Sequence, residues 1–163
     1  MQKPELPPDE ILRLEALHAL AVLDSPREQR FDRYVAFAAK EFSVRIAAIS
    51  LIEARRQWFK AIVGLDACET SRDVSFCTHT ILQTTPFVIE DASQDQRFAN
   101  NPLVTGAPFI RFYAGAPLVL PSGHAVGALC LIDTVPRQLT AVQLETLTTL
   151  SRLIVDMFLE KRA

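Results

Sequence analysis

Phe112-Tyr113-Ala114-Gly115-Ala116-Pro117-Leu118-Val119-Leu120, followed by Pro121-Ser122-Gly123 and then His124-Ala125-Val126-Gly127-Ala128-Leu129-Cys130-Leu131-Ile132, is the stretch that decides the fold. Two apolar runs of strand length flank a short turn carrying proline and glycine, so the reading is a β-hairpin. Hairpin strands run antiparallel. A second hairpin stands upstream. Ile46–Ile52 is a β-branched run without helical periodicity and reads as a buried strand. A polar turn, residues 53–56, leads into a returning strand over residues 57–63, which Gly64 ends.

Outside the hairpins the apolar period changes to three or four. Asp9 is placed to cap a helix over residues 9–23, with Ile11, Leu14, Leu17, Leu20 and Ala21 on one stripe. Asp24-Ser25-Pro26 breaks it. Residues 28–42 form a second helix, with Phe31, Tyr34, Val35, Ala38 and Phe42 as its apolar face. Residues 65–74 read as a charged loop. Ser75 caps a short helix over residues 75–83, residues 87–90 form a short strand, and residues 91–101 form a polar loop. Residues 102–105 make one helical turn. Thr140 opens a long terminal helix with Leu144, Leu147, Leu150, Ile154, Met157 and Phe158 on one face. Two hairpins in an antiparallel sheet, with helices gathered at the chain ends to cover one face, define an α+β layout. Residues 1–9 read as a flexible leader and residues 10–163 as one domain.

The chain has 163 residues, 49% hydrophobic and 22% charged, with a net charge of −2. That is a globular balance. The charge argues against a nucleic-acid partner. No apolar run approaches the length of a membrane span, and the polar, proline-bearing start is no secretory signal. The three cysteines, Cys68, Cys77 and Cys130, are odd in number and widely spaced, a poor disulfide framework. The expected location is the reducing cytoplasm.

Several ordered motifs resemble one subfamily of bacterial GAF domains. They are Gln57-Trp58-Phe59-Lys60, Ser75-Phe76-Cys77-Thr78-His79, Asp91 with Asp95-Gln96-Arg97-Phe98, Asn101-Pro102-Leu103-Val104, residues 111–118 and residues 127–133. The resemblance spans residues 14–159. It implies a GAF-like, PAS-related, six-stranded antiparallel sheet, with terminal helices on one face and pocket-forming loops on the other. Members usually stand N-terminal to histidine kinase or diguanylate cyclase domains, and their terminal helices often form a dimer bundle. The implied function is a non-enzymatic sensory or regulatory domain that binds a small molecule or a partner and signals through its terminal helices. Two alternatives stand beside it: a thiol enzyme resembling free methionine-(R)-sulfoxide reductase, and a dimerisation module with no ligand. No motif names a cofactor.

The expected ligand-binding residues are Phe76, Cys77, His79, Asp91, Arg97, Arg111, Tyr113, Cys130 and Asp133. Cys77 and His79, two apart on a helix, point about 200° from each other and cannot share one metal. A buried His79 bonded to a carboxylate or carbonyl is the simpler reading. Phytochrome-type bilin attachment places Cys directly before His, and here Thr78 intervenes. Arg111 leads an apolar strand and needs a carboxylate, from Asp91 or Asp133, or else an anionic ligand at its planar fork. Arg97 is a second such fork. Cys130 shares its strand with Leu129 and Leu131, which point to the other face. Trp58 and Phe59 alternate, so a partly exposed ring there would mark a contact surface. Leu153 adds a second apolar side to the terminal helix, which, with Leu14, Leu17 and Ala21, favours a homodimer through helices.

Overall fold

The computed structural model describes residues 2–160. Its elements are α1 (Glu10–Ala19), α2 (Gln29–Glu41), β1 (Ile46–Ile52), β2 (Arg56–Val63), β3 (Glu69–Ser71), α3 (Cys77–Thr80), β4 (Phe87–Ile89), α4 (Pro102–Thr105), β5 (Phe112–Val119), β6 (Ala125–Asp133) and α5 (Ala141–Leu159). Single 3-10 turns occupy Arg72–Val74 and Ala92–Gln94. The six strands form one sheet in the order β3-β2-β1-β6-β5-β4, and every adjacent pair is antiparallel.

Strand alternation sorts the core into two layers. Ala47, Ile49 and Leu51 of β1 meet Leu17 of α1, Phe31 and Val35 of α2, and Leu147 and Ile154 of α5. Ile46, Ala48 and Ile52 face the other way, toward Phe76, Ile81, Phe98, Val104 and Ile110 of the loops. The expected division into a helical face and a loop face is therefore present. Leu129 and Leu131 lie in the helical layer and Cys130 in the loop layer, as alternation requires. Thr140 begins α5 with a reciprocal capping box: its hydroxyl accepts from the Gln143 amide, and the Gln143 side chain accepts from the Thr140 amide.

The structure corrects the sequence reading in several places. α1 ends at Ala19, because Ala21 and Asp24 take positive φ angles of 54° and 61° that no helix continues through. Ile11, expected on the apolar stripe, is 76% exposed, whereas Arg13, outside that stripe, is 1% exposed. Asp9 makes no side-chain cap; its carboxylate hydrogen-bonds His124 in the β5–β6 turn. Part of the 65–74 loop is the edge strand β3, whose Glu69 and Ser71 are too polar to announce a strand. α3 is one turn long, although Ser75 does accept from the Thr78 amide. Trp58 and Phe59 are both buried, one in each layer, so neither ring offers a contact surface.

A bulge explains how β2 holds a lysine inside. Pairing with β1 shifts between Ile49 and Ser50, which places both Lys60 and Ala61 on the helical side. Lys60 is fully buried. Its ammonium bonds Glu28 at 2.7 Å, the Pro26 carbonyl at 2.6 Å and Ser25 Oγ at 2.8 Å, and lies over the Phe31 ring. A buried ammonium needs this full set of partners. Residues 2–9 have no regular structure; the Gln2 amide donates to the Arg97 carbonyl, and Pro7 is buried.

Candidate functional site

On the loop face of the sheet lies a small cavity of about 40 Å³, walled by Ala48, Phe59, Ile62, Phe76, Cys77, Leu103, Ile110, Tyr113 and Cys130 among others. That volume accommodates about one or a few waters. Aromatic side chains fill the rest. Phe76 stacks on Phe98 at 4.3 Å and tilts against Tyr113 at 5.3 Å. At one rim Gln57 Nε2 donates to Thr70 Oγ1 at 3.0 Å.

The sheet floor explains why the Cys77 helix comes so close. Cys130 pairs with Ala48 on one side and Gly115 on the other, so three small residues lie in a row under α3. Above them runs a buried polar seam. The Tyr113 hydroxyl bonds Thr80 Oγ1 at 2.7 Å and donates to Cys77 Sγ at 3.1 Å. Cys77 and Cys130 line the same cavity, and Ser50 lies two residues along β1 from Ala48, on the same face of the strand. Among the described residues, Ser50 Oγ is fully buried with no hydrogen bond of normal geometry.

Burial pushes the Cys77 thiol up, but its polar neighbours Cys130, Ser50 and Tyr113 outweigh it and hold the thiol below its ordinary value. Cys130 is pushed well up by its hydrogen bond to Cys77 and by burial. Tyr113 is raised by burial and by the neighbouring thiols. The two sulfurs thus sit in unlike surroundings: Cys77 accepts from the Tyr113 hydroxyl, and Cys130 lies on the sheet floor between Ala48 and Gly115.

The nine expected residues separate into two groups. Phe76, Cys77, Tyr113 and Cys130 meet at the cavity. The other five lie elsewhere. His79 turns away from Cys77 and packs edge-on against Phe98 at 4.7 Å and beside Phe87. It has no side-chain hydrogen bond among the described residues, contrary to the expected carboxylate or carbonyl partner; burial and then the Arg97 charge lower its pKa to about 4. Arg97 is bidentate to Asp95, at 2.8 and 3.0 Å, and lies over the Phe87 and Phe98 rings. Asp91 caps the following 3-10 turn through the Ser93 amide and hydroxyl. Arg111 pairs with neither Asp91 nor Asp133: its guanidinium donates to the carbonyls of Val104 and Ile110, which satisfies a half-buried cation without a carboxylate. Asp133 instead bonds Arg137 and the amides of Arg45 and Thr134.

Sequence reading passed over Gln57, Ser50, Thr80 and the α1 contacts. Alternation with Phe59 was the available signal for Gln57. Nothing local marks Arg13 and Arg72 as buried. Arg13 is bidentate to Glu10 at 2.9 Å and donates to the Ile52 carbonyl at 2.8 Å. Arg72, 5% exposed, bonds the same Glu10 carboxylate and the Glu53 carbonyl. Thr78 Oγ1 in turn donates to the Arg72 carbonyl at 3.1 Å. A chain of buried and part-buried bonds therefore runs from α3, in the cavity wall, to α1 on the helical side. Burial alone would raise the Glu10 pKa, but the hydrogen bonds and charges of the two arginines lower it to about 2.

The family description "GAF domain" matches residues 26–155. The chain belongs to the GAF family. Over 137 residues it is 43% identical to a cyclic di-GMP phosphodiesterase of Pseudomonas aeruginosa, a match that covers 84% of this chain and 23% of that protein. The chain thus spans about a quarter of the relative's length. Among solved structures it resembles the GAF domain of an Acinetobacter phosphoenolpyruvate-protein phosphotransferase (TM-score 0.65, 18% identity, 90% of this chain and 92% of the other). It also resembles a type II free methionine-R-sulfoxide reductase from Thermoplasma acidophilum (TM-score 0.66, 12% identity, 87% and 94%). At these identities the structural likeness shows the fold alone. Among the described residues of this GAF domain, no group of three or more His, Cys, Asp or Glu side chains is arranged to hold a metal, and no helix is long and apolar enough to cross a membrane.

Proposed function

We propose that this GAF domain is a non-enzymatic sensory or regulatory module of bacterial signal transduction. A small molecule, or a partner, acts on the loop face, and the response leaves through the terminal helices. The observation that carries this reading is the bonded path from Thr78 through Arg72 and Glu10 to Arg13. Displacing α3 to admit a guest pulls on the Arg72 carbonyl and so on the carboxylate that anchors α1. A ligand shifts such an equilibrium only through different affinity for the two arrangements. At about 40 Å³ the cavity is far smaller than the usual ligand pocket of about 300–1,000 Å³, so a guest enters by spreading the loops around Phe76, Leu103 and Ile110.

The reading places the protein in the cytoplasm, as a homodimer joined through helices, with a kinase, cyclase or phosphodiesterase output domain as the element it controls. The identity to a phosphodiesterase supports the last choice. A thermal-melt screen against nucleotides, amino acids, methionine sulfoxide and small aromatic acids tests the ligand role. A compound that binds the native state raises Tm. No shift with any compound, in protein that still melts cooperatively, leaves the ligand-free dimerisation module. The reductase-like reading is favoured by one observation, the two thiols Cys77 and Cys130 lining one cavity. Thiol-dependent turnover of free methionine sulfoxide, lost in Cys130→Ser, would establish it in place of the sensor.

A further inference from the structure

Two buried thiols that line one small cavity, which admits a molecule the size of water, form an unassigned site. We propose that Cys77 and Cys130 are a redox pair that closes to an intrachain disulfide when a small hydroperoxide enters the loop-face cavity.

The geometry supplies each requirement. Both sulfurs line the cavity while being 2% and 1% exposed, so a small neutral oxidant reaches them and bulky reagents do not. The Tyr113 hydroxyl, fixed by Thr80, donates to Cys77 Sγ. Donors of this kind favour the thiolate, which is the attacking species. Cys130, on the sheet floor of the same cavity, is the second thiol. Hydrogen peroxide is the co-reactant. Cys77 sulfur attacks one peroxide oxygen, the O–O bond breaks, and the departing oxygen leaves as water with the Cys77 proton, giving a sulfenic acid. Cys130 sulfur then attacks Cys77 sulfur. The S–O bond breaks and the hydroxyl leaves as a second water with the Cys130 proton. Two thiols lose two electrons, and one peroxide becomes two waters.

A disulfide requires the sulfurs to approach to about 2.05 Å. Cys130 is fixed in the sheet between β1 and β5, so α3 makes the movement. α3 is a single turn followed by the turn-rich segment 81–86, which allows it. The exposed Cys68 belongs to a different surface, near Asp24 and Trp58, and takes no part. This pairing stands apart from the sensor reading: it needs no ligand and no output domain.

The test treats the native chain, and its Cys68→Ser variant, with hydrogen peroxide. Denaturation, alkylation with N-ethylmaleimide and peptide mapping follow. The expected result is a Cys77–Cys130 cross-linked peptide in both proteins, lost on treatment with dithiothreitol, with the chain lighter by two hydrogens. Cys130→Ser should arrest at a Cys77 sulfenic acid that dimedone traps; if that variant does not fold, the wild-type map decides alone. Full alkylation of Cys77 and Cys130 after peroxide, or a cross-link that joins either of them to Cys68, would overturn the proposal.

Discussion

A Cβ built on Gly115 would lie 2.2 Å from the Tyr113 hydroxyl and 2.9 Å from Thr80 Oγ1. The absent side chain at 115 is what lets the tyrosine reach across the sheet to α3. Gly115→Ala should therefore lower stability by about 1–3 kcal/mol, the usual range for overpacking. Tyr113→Phe should cost about 1–3 kcal/mol on its own, because it strands a buried Thr80 hydroxyl. The two changes remove the same contact, so the double variant should cost clearly less than their sum in a denaturant-melt cycle. Additive losses would show that Gly115 serves some other purpose. His79 gives a pH signature. With its pKa lowered from the ordinary 6.5 to about 4, the folded domain resists a proton that the unfolded chain accepts. Its neutral form is fully compatible with folding above pH 6.5, and stability declines as pH falls from there toward 4. His79→Leu should flatten that slope, as read from chemical melts across the interval.

At the scale of elements, α1 is held by Leu17 in the core and by one carboxylate between two buried arginines. Glu10→Gln leaves those cations with too little compensation and should cost about 3 kcal/mol. The sign of the acid response follows from its pKa. Glu10 stabilises the fold above pH 4.5, and that stability is lost as pH falls from 4.5 toward 2. The Gln variant should lack this component. Elements with a strong period were legible from residues alone: both hairpins, α2 and the capped α5. What escaped was whatever depends on distant partners. Arg13 and Arg72 look like surface, and only the Glu10 carboxylate and the Ile52 and Glu53 carbonyls make their burial affordable. β3 escaped because its residues are polar and its pairing with β2 is all that makes it a strand. At the site, alternation along β6 set Cys130 on the face opposite Leu129 and Leu131, whereas the true partners of Arg111 and Arg97 are set by loop conformation that no periodicity encodes.

For the whole molecule, the two sheet faces carry different work. The helical face buries Leu17, Phe31, Leu147 and Ile154, yet it leaves Phe37 of α2, beside Tyr34 and Leu150, and Leu153 of α5 51% and 41% exposed. Leu150 itself is 8% exposed and belongs to the core, so a charge there should unfold the domain. If the chain dimerises through its helices, Phe37→Glu with Leu153→Glu should yield a monomer of nearly unchanged Tm by size-exclusion chromatography; a persistent dimer would move the interface elsewhere. The loop face holds the cavity, and Arg72 joins it to α1. Amide hydrogen exchange on α1 decides whether that joint transmits. Thr78→Val removes the bond from the cavity wall to the Arg72 carbonyl, and Ile154→Val serves as a control of comparable stability loss on the helical face. Faster exchange in residues 10–19 in Thr78→Val alone is the expected result. Equal exchange there in both variants, with change confined to α3, would show that the loop face and the terminal helix are not connected through Arg72 and Glu10.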